Sequence, residues 1–459
     1  MASSAEPHLL SPNHLRLAIN LLSKKIRNFL LFTLVIKILL ASFIPLFSDE
    51  AYYWIWSKNM QLSYYDHPAM VAWLIKLGSV VFPFHNELSV RLFFIILSTA
   101  TLWIWKKISE HNKISENTQL IILSLICLNP LLGIGSILAT PDVPLIFFWS
   151  LSFLAFNRAI YTSNYKWYAL LGISLGLGFC SKYHIVLFVL SGIVYLLLSQ
   201  GYKHIKITGA LITILFGFIF SLPVLLWNYQ NDWASFAFQL KHGFGRPIYK
   251  LHWTTGYVIG QFLLISPLIF LNLFKSPRKS SNKIFSLTQL VFFLTSSFKS
   301  VVEANWPVTA HLHAISSTTE NNSNIHKKTF FYWLVIYGCV FVLLLWPDQR
   351  KKIFSIQKNT ITINQLTEDV KNLTPLYGPT YQISSLLSWS LQKSIPKLKG
   401  LSRFDFFDTL PESIPDQKEF YVLRDIHSGW PEFGYNVSIE KIKDYPDLEL
   451  ELFHIIRSD

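Results

Sequence analysis

Apolar residues run in long blocks along this chain, and polar residues gather in short breaks between them. A helix needs about 20 apolar residues to cross a bilayer. Blocks of that order lie at 27–47, 88–105, 118–138, 142–160, 166–180, 184–200, 206–227, 254–274, 284–302 and 329–346. A shorter run at 304–315 makes an eleventh. The first block is too long for the apolar core of a signal peptide, and no small-residue cleavage site follows it, so it reads as an uncleaved anchor. Two stretches break the pattern. Within 48–87, Ala51 to Met60 and Met70 to Val81 are apolar-aromatic with a helical period, separated by Pro68. They predict amphipathic helices lying at the interface, the depth that Trp and Tyr favour. The tail, 347–459, is polar. Thr380 to Leu391 is helix-like there and Phe420 to Leu423 strand-like, which predicts a small α/β appendage. The chain thus divides into a membrane domain, 1–346, and a small exterior domain, 347–459. The segment Ser316 to Asn324 is polar and of low complexity.

Composition sharpens this. Of the 459 residues, 51% are hydrophobic and 15% charged, against about a quarter charged in a soluble domain. An ordinary soluble enzyme is excluded; an all-α polytopic membrane protein with about 11 spans, estimated from block length, is expected. The net charge of +13 taken alone suggests nucleic acid. Its distribution argues against that partner. Lys24-Lys25-Ile26-Arg27, Lys106-Lys107, Lys203 with Lys206, Lys275 to Lys283, and Lys327-Lys328 sit in alternate breaks, as cytoplasmic loops do. Placing the N-terminus inside puts 48–87, 139–142, 181–183, 228–253, 303–306 and everything after 346 outside. That requires an odd number of crossings, so 304–315 must cross or the chain end changes side. The three cysteines, Cys127, Cys180 and Cys339, lie in apolar runs and read as small core residues.

Charges are costly where spans meet the membrane, so those present need a reason. Asp49-Glu50 closes the first block, and Tyr65-Asp66-His67-Pro68 lies between the interfacial helices. Thr140-Pro141-Asp142 opens the fourth block, and Glu303-Ala304-Asn305-Trp306-Pro307 ends the ninth. Ser181-Lys182-Tyr183 fills a minimal turn. Each has a plain structural explanation: a solvated helix end, a first-turn acid favoured by the helix dipole, or a snorkelling lysine. The topology nevertheless puts all five on one face, which is the pattern of an active site. Lys37 lies mid-span with no role assigned. Lys241, His242 and Arg246 in the 228–253 loop are further cations, equally at home on a basic membrane-surface loop.

Together these motifs resemble the GT-C membrane glycosyltransferases, in the bacterial branch related to protein O-mannosyltransferases and lipid A aminoarabinose transferases. The similarity covers about residues 40–345 and, more loosely, the tail. It implies the GT-C fold and an inverting transferase that uses a polyprenyl-phosphate sugar at the outer face of a bacterial inner membrane. Carried over by position, Asp49 resembles the acceptor-activating aspartate and Glu50 its neighbour. Asp66-His67 stands where the aminoarabinose transferases have Glu-Lys before Pro-Pro, with Ala69 replacing the second proline. Asp142 resembles the second acidic position, and Lys182 the basic residue near the lipid phosphate. Tyr65, Glu303 and Asn305 complete the expected substrate-binding set, with Lys241 and Arg246 as added phosphate candidates. The chemistry fits these types: a carboxylate accepts the attacking hydroxyl's proton, and a cation stabilises the phosphate leaving group. After Pro307 the family continues as a full apolar helix, whereas here only Val308 to Ile315 remain.

The expected activity is transfer of a sugar from polyprenyl phosphate to an outward-facing glycolipid, lipopolysaccharide or protein hydroxyl. The expected partners are that donor, a lipid or protein acceptor, and membrane lipids. No cofactor is required by the pattern; Asp49 and Asp142 are oxygen ligands that suit a divalent cation, but no spacing demands one. The rival readings are a lipid-sugar flippase or secondary transporter, and a non-catalytic membrane scaffold. A transporter predicts charges near mid-membrane and two similar halves; the acids here sit at one interface.

Overall fold

The computed structural model describes residues 23–162, 164–245, 248–346 and 363–458. Arg246 therefore lies outside the described residues. The chain is mostly helical, and the helices follow the apolar blocks, with breaks where the sequence carries proline or polar clusters.

Helix α1 (Lys24–Phe43) starts at Ser23, whose hydroxyl accepts the Ile26 amide, and stops just before Pro45. Helices α2 (Ser48–Lys58) and α3 (Met70–Val81) flank a loop carrying Tyr64 to Pro68. Then come α4 (Glu87–His111), α5 (Glu116–Leu128), α6 (Asp142–Thr162), α7 (Tyr165–Phe179), α8 (Val186–Ser199), α9 (Ile207–Gln230) and α10 (Ala234–Phe244). Helices α11 (Leu251–Ile265), α12 (Pro267–Lys275), α13 (Ser281–Ser297), α14 (Val308–Ser316) and α15 (Ser323–Leu345) follow. By length and composition, α1, α4, α6 and α9 can each cross a membrane, and α11 with α12 makes a fifth crossing if the bent pair is one span.

The eleven apolar blocks each hold helix, but several helices are shorter than the blocks predict. The third block ends as helix at Leu128, because Pro130 follows and the Asn129 side-chain Oδ1 accepts from the Leu131 and Leu132 amides. The eighth is bent by 91° between Ile265 and Pro267; Ser266 there has φ 82°, and a proline cannot continue the helix before it. The weak run is the nine-residue α14, buried from Val308 to Ile315. At 1.5 Å per residue it spans about 14 Å, too short to cross a bilayer core of about 30 Å. Lys37 is buried and donates to Ser98 Oγ on α4 at 2.9 Å, so it fastens α1 to α4. Cys180 is buried, Cys127 half-buried, and Cys339 exposed on α15, contrary to its reading as a core residue.

Helix α2 departs from the interfacial reading. All residues from Glu50 to Ser57 are buried, because the tail covers it. The tail holds α16 (Asn364–Val370), β1 (Leu376–Tyr377), α17 (Tyr381–Leu391), β2 (Glu419–Asp425), β3 (Val437–Tyr445) and β4 (Leu450–Arg457). The sheet order is β1-β2-β4-β3, with β1 parallel to β2 and the other pairs antiparallel. Helix α17 lies on α2, with Trp389 edge-on to Trp54 at 5.2 Å and Tyr381 4.5 Å from Tyr52. Leu46, Trp56, Val90 and Phe94 share one buried cluster with Leu366, Leu386, Phe406, Leu423 and Leu452. The tail is thus packed onto the loop region rather than hung from it. Helix α3 keeps an open apolar edge at Leu77, Val80 and Val81, as a helix at the interface should.

Candidate active site

A polar cavity of about 460 Å³ opens where these loops meet the tail. Its walls come from six separated stretches. Asp49, Tyr52 and Tyr53 come from α2; Asp66 and His67 from the α2–α3 loop; Thr140 to Asp142 from the start of α6. Lys182 and His184 come from the α7–α8 turn; Phe238, Gln239 and His242 from α10; Glu303, Asn305 and Trp306 from the segment before α14. The tail adds Tyr381 and Arg403.

Local structure sets each group in place. Tyr64 stacks on Trp56 at 4.2 Å, and its hydroxyl donates to the carbonyls of Trp56 and Asn59. This pins the loop that presents Asp66. The Met70 amide donates to the Cys180 carbonyl at 3.0 Å, tying the start of α3 to the turn that carries Lys182. On α7, a Cβ at Gly172 would lie 2.5 Å from the Thr213 carbonyl oxygen and one at Gly176 2.7 Å from that of Gly217. Only glycine lets α7 approach α9 this closely, and that approach positions the Lys182 turn.

Three polar clusters result. Lys182 Nζ donates to Asp142 Oδ1 at 2.6 Å, and Asn305 Nδ2 donates to Asp142 Oδ2 at 2.6 Å. Asp66 Oδ2 accepts from the Tyr52 hydroxyl at 2.7 Å, and Oδ1 from Arg403 Nη1 at 2.8 Å. Asp49 opens on the cavity, and its Oδ1 accepts from the Tyr381 hydroxyl at 3.2 Å. Although open to the cavity, Asp49 lies deep among protein atoms. Burial raises its carboxyl pKa above the usual range; Asp66 and Glu50 raise it further, while Tyr381 and Arg403 act against them. His67 is pushed down to about 3 by burial and by Lys182, His242 and Arg403. His184 is likewise held well below the ordinary histidine value, first by burial. Both imidazoles are therefore neutral near pH 7.

Of the residues expected from sequence, Asp49, Asp66, His67, Asp142, Lys182, Glu303 and Asn305 line this one cavity. Glu50 does not. It is buried in a two-pronged ion pair with Arg91, Nε to Oε1 at 2.7 Å and Nη2 to Oε2 at 2.5 Å, and it also accepts the Ala139 amide at 2.8 Å. Arg91 in turn donates to the carbonyls of Ala41, Ile44 and Pro45. Glu50 thus locks the end of α1 to α2 and to the approach of α6. Tyr65 packs between Phe238 and Phe404, 4.8 Å from each ring, behind the cavity wall. Lys241 is exposed on α10 and does not line the cavity. Among the described residues, no group of three or more His, Cys, Asp or Glu is placed to hold a metal ion, and both oxygens of Asp142 are taken by Lys182 and Asn305.

Sequence reasoning missed Tyr381 and Arg403, which lie more than 300 residues from Asp49, and His184, two residues beyond Lys182. A histidine in the minimal turn was the available signal for His184; nothing local marks Arg403. A second cavity adjoins this one. His184, Gln239 and Trp306 are shared with an apolar groove of about 590 Å³ walled by Phe179, Val186, Leu187, Leu190, Leu240, Phe244, Phe292 and Phe293.

Residues 66–227 match the family described as dolichyl-phosphate-mannose-protein mannosyltransferase. The chain is 24% identical over 291 residues to the lipid A galacturonosyltransferase RgtD of Rhizobium johnstonii; the match spans 58% of this chain and 58% of that protein. The fold matches the crystal structure of ArnT from Cupriavidus metallidurans bound to undecaprenyl phosphate, with a TM-score of 0.68 at 12% identity, over 94% of this chain and 97% of that one. The apo form of the same protein gives 0.66 over the same shares. The chain is thus similar to that mannosyltransferase family over residues 66–227 and to RgtD along part of its length, and it shares the fold of ArnT.

Proposed function

We propose that this protein transfers a sugar from a polyprenyl-phosphate donor to a hydroxyl or other oxygen nucleophile on an acceptor outside a bacterial inner membrane. The observation that carries this is a pair of adjoining cavities, sharing His184, Gln239 and Trp306, with two chemistries. The polar end holds carboxylates and cations from separated segments, and the groove beside His184 and Trp306 is apolar, as an isoprenoid requires. A donor with a charged head and a hydrocarbon tail suits both ends at once. The RgtD relative acts on lipid A, which supports a glycolipid acceptor here, and the ArnT structure holds undecaprenyl phosphate, which supports a lipid-phosphate donor.

In this reading Asp49 accepts the proton of the acceptor as its oxygen attacks the sugar's anomeric carbon. The bond from that carbon to the phosphate oxygen breaks, and its electron pair leaves with the phosphate, so configuration inverts. Lys182 meets that growing charge. Its ion pair with Asp142, whose other oxygen accepts from Asn305, holds the ammonium at one point while the phosphate arrives. Neutral His184, whose Nδ1 is buried without a partner among the described residues, stands at the junction where a phosphate between head and tail would lie.

The test is direct. Purified protein in nanodiscs is supplied with a panel of polyprenyl-phosphate sugars and with lipid A or peptide acceptors, and release of polyprenyl phosphate is followed. Donor-dependent release with acceptor glycosylation is expected. Absence of both polyprenyl-phosphate binding and transfer across the panel overturns the reading.

A further inference from the structure

The tail reaches the cavity through two side chains, and their bonds single out one wall. Arg403 Nη1 donates to Asp66 Oδ1 at 2.8 Å, and the guanidinium lies over the rings of Tyr381 at 5.1 Å and Phe238 at 5.5 Å. Tyr381 donates to Asp49. Tyr52 closes the circuit: its hydroxyl donates to Asp66 and accepts the Phe406 amide from the tail at 2.9 Å. The loop that carries Arg403 is itself held from behind. Buried Lys397 donates to the Arg403 carbonyl at 2.8 Å and to Asp405 at 2.8 Å, and pairs with Asp408. A flexible arginine on a free loop would lose this geometry; here the backbone beneath it is fixed, while the side chain stays 47% exposed toward the cavity.

We infer that Arg403, carried by the tail and bonded to Asp66, is a positioning residue of the cavity: with the Tyr381 hydroxyl it keeps Asp49 a carboxylate, so the proton acceptor is competent only when the tail is docked. This rests on the proposed transferase reading for what Asp49 does, but not for how Asp49 is charged.

Charge accounting around Asp49 supports it. Helix α2 presents Glu50, Tyr52 and Tyr53; Glu50 is consumed by Arg91. The α2–α3 loop presents Asp66 and His67, and the start of α6 presents Asp142. The α7–α8 turn presents Lys182 and His184, α10 presents His242, the segment before α14 presents Glu303, and the tail presents Tyr381 and Arg403. Lys182 is committed to Asp142. His67 and His184 are neutral. Two carboxylates sharing one wall repel, and one of them takes up a proton unless a cation intervenes. Arg403 is the cation on that wall, and guanidinium keeps its charge at all working pH.

The experiment reads Asp49 itself. Full-length protein in nanodiscs is treated with a water-soluble carbodiimide and an amine between pH 4 and 8, and Asp49 modification is quantified by peptide mass spectrometry, since the reagent needs the protonated carboxyl. An opposite charge nearby shifts a carboxyl by about 1–3 units. The modification midpoint of Asp49 should therefore move up by about one unit in Arg403→Ala. It should move up in the same direction, but less, in Tyr381→Phe, return toward wild type in Arg403→Lys, and move down in Asp66→Asn. The acidic limb of the kcat/KM profile should move with it, with rate recovered at higher pH. An Arg403→Ala midpoint equal to wild type overturns the inference. So does a shift that Arg403→Lys fails to reverse, because that pattern means only that the tail has come loose. If Arg403→Ala does not fold, Tyr381→Phe decides, since it removes one hydroxyl. If the wild type shows no transfer, the transferase reading fails while the labelling result still stands.

Discussion

Asp49 and Glu50 are adjacent, both acidic, and do opposite things. Successive helical side chains point about 100° apart, so one faces the cavity and the other faces Arg91. Two outcomes follow. Asp49→Asn should leave folding and donor binding near wild type and lower turnover by about 10²–10⁴-fold, because the amide cannot take the acceptor's proton; turnover with a polyprenyl-phosphate sugar beside donor binding checks it. Glu50→Gln should instead destabilise by about 3–5 kcal/mol, since it strands the buried Arg91 charge. A melting curve in detergent measures that, and an unaltered melt with lost turnover would move Glu50 into the chemistry. The pH dependence has a definite sign. Asp49 must be ionised to work, and burial lifts its pKa above the usual carboxylate range. Activity should rise with pH through that raised value and fall away on the acid side sooner than an exposed aspartate would allow. Neutral His67 should add no limb near pH 6–7.

Helix α7 shows how an element sets a site it does not itself line. Gly172 and Gly176 seat it against α9, and the turn that follows delivers Lys182 to Asp142. Gly172→Ile should push the helices apart, cost about 1–3 kcal/mol by overpacking, and weaken donor binding although no ligand contact is touched. Thermal stability and donor affinity measured on the same sample check it, and unchanged values for both would show that the approach is not needed. Lys182→Ala should weaken donor binding and slow transfer, with Lys182→Arg retaining part of each. Intact affinity in Lys182→Ala would place the phosphate elsewhere. The bend between α11 and α12 belongs here too. Gln261 on α11 donates to the Ala304 carbonyl at 3.0 Å, so the broken segment helps hold the strand of chain that bears Glu303 and Asn305.

For the molecule as a whole, the cavity, the α2–α3 loop and the tail lie at one end, and the basic loops between the spans fall in the alternate breaks of the chain. In a cysteine-free background, single cysteines at Lys58 and Lys241 should react with an impermeant reagent in intact spheroplasts, while those at Glu110 and Lys279 should react only after lysis. The reverse pattern would place the cavity in the cytoplasm and overturn the assigned orientation.

The membrane character, the order of the helices and most of the cavity's acids were legible along the chain, for a physical reason. Apolar blocks and basic breaks are local properties, and a charge set beside an apolar block is conspicuous wherever it lies. Asp49, Asp66, Asp142, Lys182 and Glu303 were found that way, and Asn305 through the motif it shares with Glu303. Other features depend on partners far off in sequence. Glu50 and Asp49 carry the same signal until Arg91, 41 residues away, claims one of them. Helix α2 has the amphipathic pattern of an interfacial helix, yet α17 covers it. Arg403 sits in an unremarkable polar tail and gains its meaning only from Asp66, 337 residues away. Which carboxylate is buried against a cation, and which is left facing a ligand, is a matter of distance and solvent access. Those are set by packing, and only the folded chain decides them.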